Sequence, residues 1–182
     1  MSFKRSNIFL CRMLLSVILQ IAFYGVSFSQ SREVLIKAGY IEKFTHFVQW
    51  PDKDGKESSS DKFIIAIIGD NTISKTLKEI FLKSDTKKGN ISIVEIKNID
   101  EISDCQLLFI SGSEKNNLDR ILLFTTDKPI LTISDSNGFG AKGVIINMFK
   151  EGDYIRYEIN RRSLDKSGLI INSLLLQYAV II

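Results

Sequence analysis

Apolar residues along this chain follow a helical spacing first and a strand-like spacing next. Between residues 34 and 50 they recur every three or four positions, which predicts an amphipathic helix. The apolar face of this helix is formed by Val34, Ala38, Ile41, Phe44 and Val48. Pro51 follows and is expected to end the helix at Trp50, because the residue before a proline is disfavoured in helical conformation. A polar loop, residues 52–62, comes next.

A nearly continuous β-branched run, residues 63–69, comes after this loop, and such runs are typical of strands buried on both faces of a parallel sheet. Four strands are predicted in this part of the chain, at residues 63–69, 91–96, 106–110 and 129–134. Helical spacing between them predicts helices around Ile73–Phe81 and Leu118–Phe124, with a short helical turn at Ile99–Ile102. This alternation favours a sheet wound in βα units.

The pattern changes after residue 134. Two strand-like runs, residues 143–149 and 154–159, flank a short turn in which Gly152 can supply a positive φ, so an antiparallel hairpin is predicted. A last helix is predicted to begin after Asn160 and to run to the end of the chain. The expected fold is therefore a single three-layer α/β domain, with a mostly parallel sheet flanked by helices and a C-terminal antiparallel hairpin plus helix.

The first 29 residues have the three-part pattern of a secretory signal peptide. Basic residues occupy positions 4, 5 and 12, residues 13–23 are almost wholly apolar, and small residues follow at Ser27 and Ser29. Cleavage is expected before Gln30, which leaves one α/β domain over residues 30–182. An uncleaved membrane anchor is the alternative, although the apolar run is short for a bilayer, which needs about 20 residues.

Removal of this leader changes the charge of the chain. The full sequence has 24 basic and 21 acidic residues, and the leader contains three of the basic ones and none of the acidic ones, so the remainder is neutral. A nucleic-acid partner is therefore not expected, because it would require clustered surplus Lys and Arg. Cys105 would be the only cysteine after cleavage, so the exported chain is expected to fold by packing alone, with Cys105 as a small packed residue.

Candidate catalytic chemistry is sparse in this sequence. His46 is the only histidine, and helical spacing places it away from the apolar face, which favours a solvated residue over a catalytic base. No catalytic residue, metal site or cofactor is expected, since no His, Cys and carboxylate cluster has metal-ligand spacing. Residues 138–143 spell GxGxxG after a strand, but the dinucleotide fingerprint requires a helix there and a strand-like run follows. A glycine-rich turn is predicted instead.

Several polar residues fall where a buried strand ends. Residues 70–72 and 111–113 could each hold a small anion, although ordinary helix capping explains both loops without a ligand. Lys37 lies near the centre of the apolar arc of the first helix, so its ammonium must either pair with a carboxylate or extend to water, and both remain open. Asp70 and Asp135 are the leading partner candidates. Glu158 ranks third, because strand alternation places it on the same face as Arg156, which can pair with it instead.

Eight local patterns also occur in a fixed order along the chain. They are residues 37–40 (KAGY), 47–51 (FVQWP), 67–70 (IIGD), 105–110 (CQLLFI), 131–135 (LTISD), 138–139 (GF), 146–148 (INM) and 156–160 (RYEIN). No single pattern is specific, but together, from about Val34 to Ile182, the chain resembles the YfiR-like family of periplasmic proteins.

The resemblance implies an exported, non-catalytic regulator in cyclic di-GMP signalling. In the best-understood type, the regulator represses an inner-membrane diguanylate cyclase by contacting its periplasmic sensor region, and an outer-membrane-linked antagonist relieves this repression. The implied partner is thus a membrane sensor protein, a diguanylate cyclase or similar, and a homodimer is left open. A periplasmic small-ligand-binding module is the alternative, with loops at the strand ends as its pocket.

Nine residues are candidates for structural or interface roles on this interpretation. Trp50 is expected to pack against the domain at the end of the first helix, and the alternative is that it anchors an interface. The nine candidates are Lys37, Tyr40, Phe47, Trp50, Asp70, Asp135, Phe139, Arg156 and Glu158.

The leader predicts a definite mature terminus. Exported protein purified from its producing cells should have the intact mass of residues 30–182, without the loss of two hydrogens that a disulfide would cause. An intact mass that includes residues 1–29 would contradict cleavage and favour the membrane anchor.

Overall fold

A computed structural model of the chain describes residues 32–51, 62–84 and 91–182, apart from the side chains of residues 103 and 104. The predicted leader at residues 1–29 and residues 52–61 of the polar loop lie outside these ranges. Within the described ranges, no helix is long and apolar enough to cross a membrane.

Nine strands and six α-helices are described. The strands are β1 (Val48–Gln49), β2 (Phe63–Ile68), β3 (Ile91–Ile96), β4 (Leu107–Ile110), β5 (Leu131–Ser134), β6 (Ile146–Glu151), β7 (Tyr154–Ile159), β8 (Ile170–Ile171) and β9 (Val180–Ile181). The helices are α1 (32–47), α2 (Ser74–Lys83), α3 (Leu118–Thr125), α4 (Phe139–Lys142), α5 (Arg161–Ser167) and α6 (Ser173–Gln177), with 3₁₀ turns at Ile99–Asp104 and Gly112–Glu114.

Seven strands form one sheet in the order β3-β2-β4-β5-β6-β7-β9, and β1 and β8 form a separate antiparallel pair. The pairs from β3 through β6 are parallel, β6 and β7 form the antiparallel hairpin, and β9 runs parallel to β7. Gly152 has φ +60° in the hairpin turn, as expected. The predicted mostly parallel sheet with a C-terminal hairpin is confirmed.

Helices cover both faces of this sheet and separate two apolar clusters. On one face, α1, α2 and the segment from α5 to α6 pack on alternate residues of the strands, with Ile41, Phe44 and Leu77 fully buried. On the other face, α3, α4 and the 3₁₀ turn at Ile99–Asp104 pack on the remaining residues. The predicted three-layer arrangement follows from this burial of both faces of the central strands.

The C-terminal helix is the largest error of the sequence-based prediction. The predicted helix after Asn160 ends at Ser167, and Gly168 (φ +69°) turns the chain into β8, α6 and β9. Asn172 begins α6 by accepting a hydrogen bond from Leu174 N. Tertiary contacts override helical propensity here, because Ile171 pairs with Val48 and Ile181 pairs with Ile159. The local spacing of apolar residues does not indicate such contacts.

Two boundaries also differ from prediction. Helix α1 ends at residue 47 rather than at Trp50, because Val48 and Gln49 form β1. The glycine-rich segment after β5 contains the four-residue helix α4 rather than only a turn. Its middle glycine, Gly140, allows α4 to approach β7 closely, because a Cβ there would collide with the Glu158 carboxylate.

Cys105 and Trp50 both pack within the domain, although Trp50 follows β1 rather than ending α1. Cys105 is buried at the start of β4, and its Sγ lies 3.3 Å from Ile102 O. Trp50 packs edge-on against Phe63, with ring centroids 4.9 Å apart, and its Nε1 donates to Gln106 O at 3.0 Å. Trp50 therefore holds the end of the α1–β1 segment against the start of β4.

This packing predicts that Trp50 is a stability residue. Because its ring is half-buried, Trp50→Ala should lower the free energy of unfolding by about 3 kcal/mol, and Trp50→Phe should lower it less. Leu123→Ala is the control, since Leu123 is 79% exposed and its loss should change the value by less than about 0.5 kcal/mol. Urea unfolding measures all three. An unchanged unfolding midpoint in Trp50→Ala would make Trp50 an interface anchor instead.

Candidate interaction surface

Lys37 pairs with a carboxylate at the carboxyl end of the sheet. Its Nζ lies 2.8 Å from Asp135 Oδ2, just after β5, and 2.5 Å from Glu33 Oε1 one turn earlier on α1. The Lys37 side chain is only 13% exposed. Of the two alternatives for Lys37, pairing with a carboxylate is therefore the one present, and Asp135 is the partner. Glu33 was missed, although its spacing of four residues from Lys37 on a helix was the signal for it.

The charges in this cluster support one another. Burial alone would lower the pKa of Lys37, but hydrogen bonds with Asp135 and Glu33 outweigh it and hold the pKa above its ordinary value. The hydrogen bond with Lys37 lowers the pKa of Glu33. The contribution of Glu33 to stability is thus present above the ordinary pKa of a glutamate and is lost as pH falls through the lowered value. The cluster fixes the N-terminal half of α1 to the end of β5.

Asp70, the other leading candidate for Lys37, lies elsewhere. It is exposed after β2, where its Oδ1 accepts hydrogen bonds from the backbone and hydroxyl of Thr72. Because β4 lies between β2 and β5, Asp70 is separated from Asp135 by two strand positions. Its partners within the turn lower the pKa of Asp70, with the Thr72 hydroxyl as the largest cause.

Tyr40 lies on the flank of α1 that faces the hairpin. Its ring centroid is 5.8 Å from that of Tyr157 on β7, and its hydroxyl donates to Ile155 O at 3.2 Å. The Tyr157 hydroxyl in turn donates to Leu175 O on α6 at 2.7 Å. Phe47, also half-buried, packs against the same core, and its backbone oxygen accepts from Asn172 N. Tyr40 and Phe47 therefore join α1 to the C-terminal segment.

The last thirteen residues contain more than half of the large apolar residues that are exposed in the described part of the chain. Of the eleven large apolar residues described as exposed, six lie in this segment. We refer to these six as the C-terminal apolar surface: Ile170, Leu174, Tyr178, Val180, Ile181 and Ile182. Tyr178 is 72% exposed and Ile170 is 64% exposed, so this surface leaves large side chains in water. Contiguous exposed apolar patches are typical of protein–protein interaction sites, so this segment is a candidate for such contact.

The same segment contains an open edge of the sheet. Among the described strands, β9 is the terminal one beside β7, so its other side has no strand. The two residues of β9 are held by pairing with Glu158 and Ile159, and the backbone of Ile182 bonds to Ile159 and Arg161. Unpaired edge groups can accept a strand from another chain. The apolar side chains and the edge thus lie on one short segment.

The remaining candidate residues, Phe139, Arg156 and Glu158, contact other residues of the domain. Phe139 is 3% exposed and packs in the cluster beneath α3. Glu158 accepts from Asn147 Nδ2 at 2.9 Å, and Arg156 lies 3.7 Å from Glu151 on the opposite strand of the hairpin. Arg156 and Glu158 therefore have different partners. Asn147 was missed by sequence reasoning, although a buried asparagine in a strand is itself unusual.

The two loops considered as anion sites are closed by their own hydrogen bonds. Asp70 N donates to Ser113 Oγ at 2.9 Å, and Ser111 accepts from Ser113 N. Hydrogen bonds within the loops therefore occupy these groups, but the expectation of helix capping is confirmed only in part. Ser111 caps the 3₁₀ turn at Gly112–Glu114, whereas no side chain of residues 70–72 caps α2, whose N-cap is Ile73. Within residues 32–51, 62–84 and 91–182, no group of three or more His, Cys, Asp and Glu side chains could hold a metal ion.

His46 is connected to a buried acid that the sequence did not indicate. Its Nε2 lies 2.7 Å from Glu42 Oε1, which also accepts from Ser84 Oγ at 2.6 Å. Burial alone would raise the pKa of Glu42, but the hydrogen bonds with Ser84 and His46 lower it below its ordinary value. The arrangement ties α1 to the end of α2.

Comparison with known proteins gives one informative match. A family model described as YfiR/HmsC-like (DUF4154) matches residues 35–180. No curated protein matches the sequence. A solved structure, the ABC domain in complex with L-Trp from Streptococcus pneumonia, is similar with a TM-score of 0.49 and 12% identity. That similarity covers 66% of this chain and 55% of the other, so this chain spans about half of the length of that structure.

The Lys37 cluster predicts an asymmetric response to mutation. Lys37→Met should lower the free energy of unfolding by about 1–3 kcal/mol, because two carboxylates lose their cation. This is less than for a fully buried pair, since Asp135 is 27% exposed. The control is Lys78→Met, which removes an exposed pair with Glu95 and should change stability by less than about 1 kcal/mol. Equal stability of the Lys37→Met and wild-type proteins in urea would contradict the role of this cluster.

Proposed function

The chain belongs to the YfiR/HmsC-like family, and we therefore propose that it is an exported, non-catalytic regulator that binds and represses a membrane signalling protein. Regulators of this family act in the periplasm in cyclic di-GMP signalling. The proposed partner is the periplasmic sensor region of an inner-membrane diguanylate cyclase. The proposed antagonist is an outer-membrane-linked protein that relieves repression by sequestering the regulator.

The C-terminal apolar surface is the observation that carries this proposal. Its six large side chains are exposed. The chain is long enough to form a buried core, in which Ile41 and Phe44 are fully buried, so the exposure of these six is not caused by a lack of core. Keeping such residues in water is unfavourable by roughly 25 cal/mol for each Å² of apolar area that a partner could cover. Tyr178 and Leu174 lie closest to the centre of the segment, and aromatic residues are common anchors of interfaces.

The open edge of β9 supplies a second means of recognition. An extended segment of the sensor region could pair with this edge through its backbone, while its side chains contact the apolar residues of the surface. Such an interface needs no catalytic group and no cofactor. It is also reversible, which an antagonist that competes for the regulator would require.

A non-catalytic role agrees with the position of the only histidine of the sequence. His46 is held by Glu42 on the surface of α1, and Glu42 also accepts a hydrogen bond from Ser84. General-base catalysis requires such a group within hydrogen-bond reach of its substrate proton. His46→Ala is accordingly a useful reference in functional tests of the regulator.

The proposal predicts that charge on the C-terminal apolar surface abolishes regulation. Deleting the gene should raise cellular cyclic di-GMP, and the wild-type protein should lower it again. Tyr178→Glu should fail to do so, because a carboxylate cannot be desolvated in an apolar interface. Cyclic di-GMP is quantified by mass spectrometry, and binding is measured by recovery of the diguanylate cyclase from solubilised membranes. We expect a loss of binding of at least tenfold.

Two matched variants make this test specific. Leu123→Glu adds the same charge at a residue that is 79% exposed on α3, and it should regulate like the wild type. His46→Ala should do the same. All variants should keep their far-ultraviolet circular dichroism spectra. Regulation by a folded Tyr178→Glu protein at the wild-type level would exclude this surface, and unchanged cyclic di-GMP after deletion would exclude the proposed function itself.

A further inference from the structure

A polar pocket lies at the end of the sheet where the parallel strands β5 and β6 begin. It has a volume of about 270 Å³ and lies between the end of α3, the end of α4 and one side of α5. Ile130 and Ile145, which directly precede β5 and β6, form part of its wall. The two loops considered from the sequence as anion sites lie at the opposite ends of the strands, so this pocket is a different feature.

Three cations surround the pocket opening. Lys142, Arg162 and Lys166 line it and are exposed, and Asp127 is the one acidic residue of the lining. In the described part of the chain, none of the three cations forms an ion pair. Arg161, the neighbour of Arg162, is instead paired with Asp165 at 3.0 Å and does not line the pocket. The residues that line the pocket therefore have an excess of positive charge.

Buried hydroxyl groups form part of the pocket wall. Thr125, Thr132 and Ser167 line it, and each is more than nine-tenths buried. Thr132 Oγ1 accepts a hydrogen bond from Ile145 N at 2.9 Å, which fixes the side chain. Its own O–H donates to no acceptor among the described residues and remains available to a ligand. A fixed, buried donor beside three cations is suited to a phosphate group.

The backbone at the pocket edge is also unusual. Asp127, in the turn between α3 and β5, has φ +59°, and it is the only non-glycine residue with positive φ in the described ranges. Side chains other than glycine adopt this conformation at an energetic cost, and such residues occur often at ligand sites. The turn that carries Asp127 ends with Ile130, which enters the pocket wall. The strain therefore lies at the pocket and not at a distant loop.

We propose that this pocket binds a small phosphate ester, with Arg162 and the two lysines holding the phosphate and Thr132 donating to the ligand. A phosphate dianion matches a site with a net excess of two positive charges, and the planar guanidinium of Arg162 can donate two parallel hydrogen bonds to it. The volume lies just below the usual range for small-molecule sites, which limits the ligand to roughly the size of a sugar phosphate. This site is separate from the C-terminal apolar surface and does not depend on the proposed regulatory function.

Isothermal titration calorimetry of the full exported protein tests this site directly. The probes are glucose 6-phosphate, inorganic phosphate and glucose, each at 50 mM and 300 mM NaCl. We expect saturable binding of glucose 6-phosphate that is stronger than that of inorganic phosphate and at least tenfold weaker at the higher salt concentration. Glucose should not bind, because it has no charge.

Two variants of the same helix separate the pocket from general surface charge. Arg162→Gln should weaken glucose 6-phosphate binding at least tenfold, whereas Arg161→Gln, which removes the same charge outside the pocket, should leave it within twofold of the wild type. Equal weakening in both variants, binding of inorganic phosphate alone, equal binding of glucose, or no saturable binding up to 10 mM ester would each overturn the proposal. Thermal unfolding of both variants confirms that they remain folded.

Discussion

A single buried tyrosine side chain connects three parts of this protein. Tyr157 lies on β7, packs edge-on against Phe44 of α1 with ring centroids 5.1 Å apart, and donates its hydroxyl proton to Leu175 O on α6. Burial raises the pKa of Tyr157 to about 12, and the neighbouring Tyr40 and Tyr178 add to this rise. The group therefore stays protonated and remains a donor at any physiological pH. The sheet, α1 and the C-terminal segment are thus held in one arrangement.

The position of the C-terminal segment depends on this contact and two others. The pairing of Val48 with Ile171 holds β8, and the pairing of Glu158 with Val180 holds β9. Each of these pairings involves only two residues of the segment. They hold its backbone against the domain, while most of its large apolar side chains are exposed. The same segment borders α5, because Arg161 N donates to Ile182 O. One side of α5 lines the basic pocket, and its first residue contacts the end of the chain.

Much of the domain could be predicted from the sequence because its signals are local. The buried strand β4 is a continuous apolar run, and the apolar arc around Lys37 indicated that its ammonium needs either a carboxylate or water, of which the structure shows a carboxylate, Asp135. The C-terminal segment could not be predicted, since residues 169–182 contain apolar spacing that fits a helix as well as two short strands. Only pairing with β1 and β7 decides between them. The cations of the pocket come from α4 and α5, and no spacing in the sequence brings Lys142 beside Arg162.

Site-specific photocrosslinking most directly tests the claim that the C-terminal apolar surface contacts the sensor region. A photoreactive phenylalanine analogue placed at position 178 should, in intact cells, crosslink to the periplasmic region of a diguanylate cyclase. The same analogue at position 123, exposed on the opposite face of the domain, should give no such product. Crosslinking to the cyclase from position 123 and not from position 178 would contradict the account.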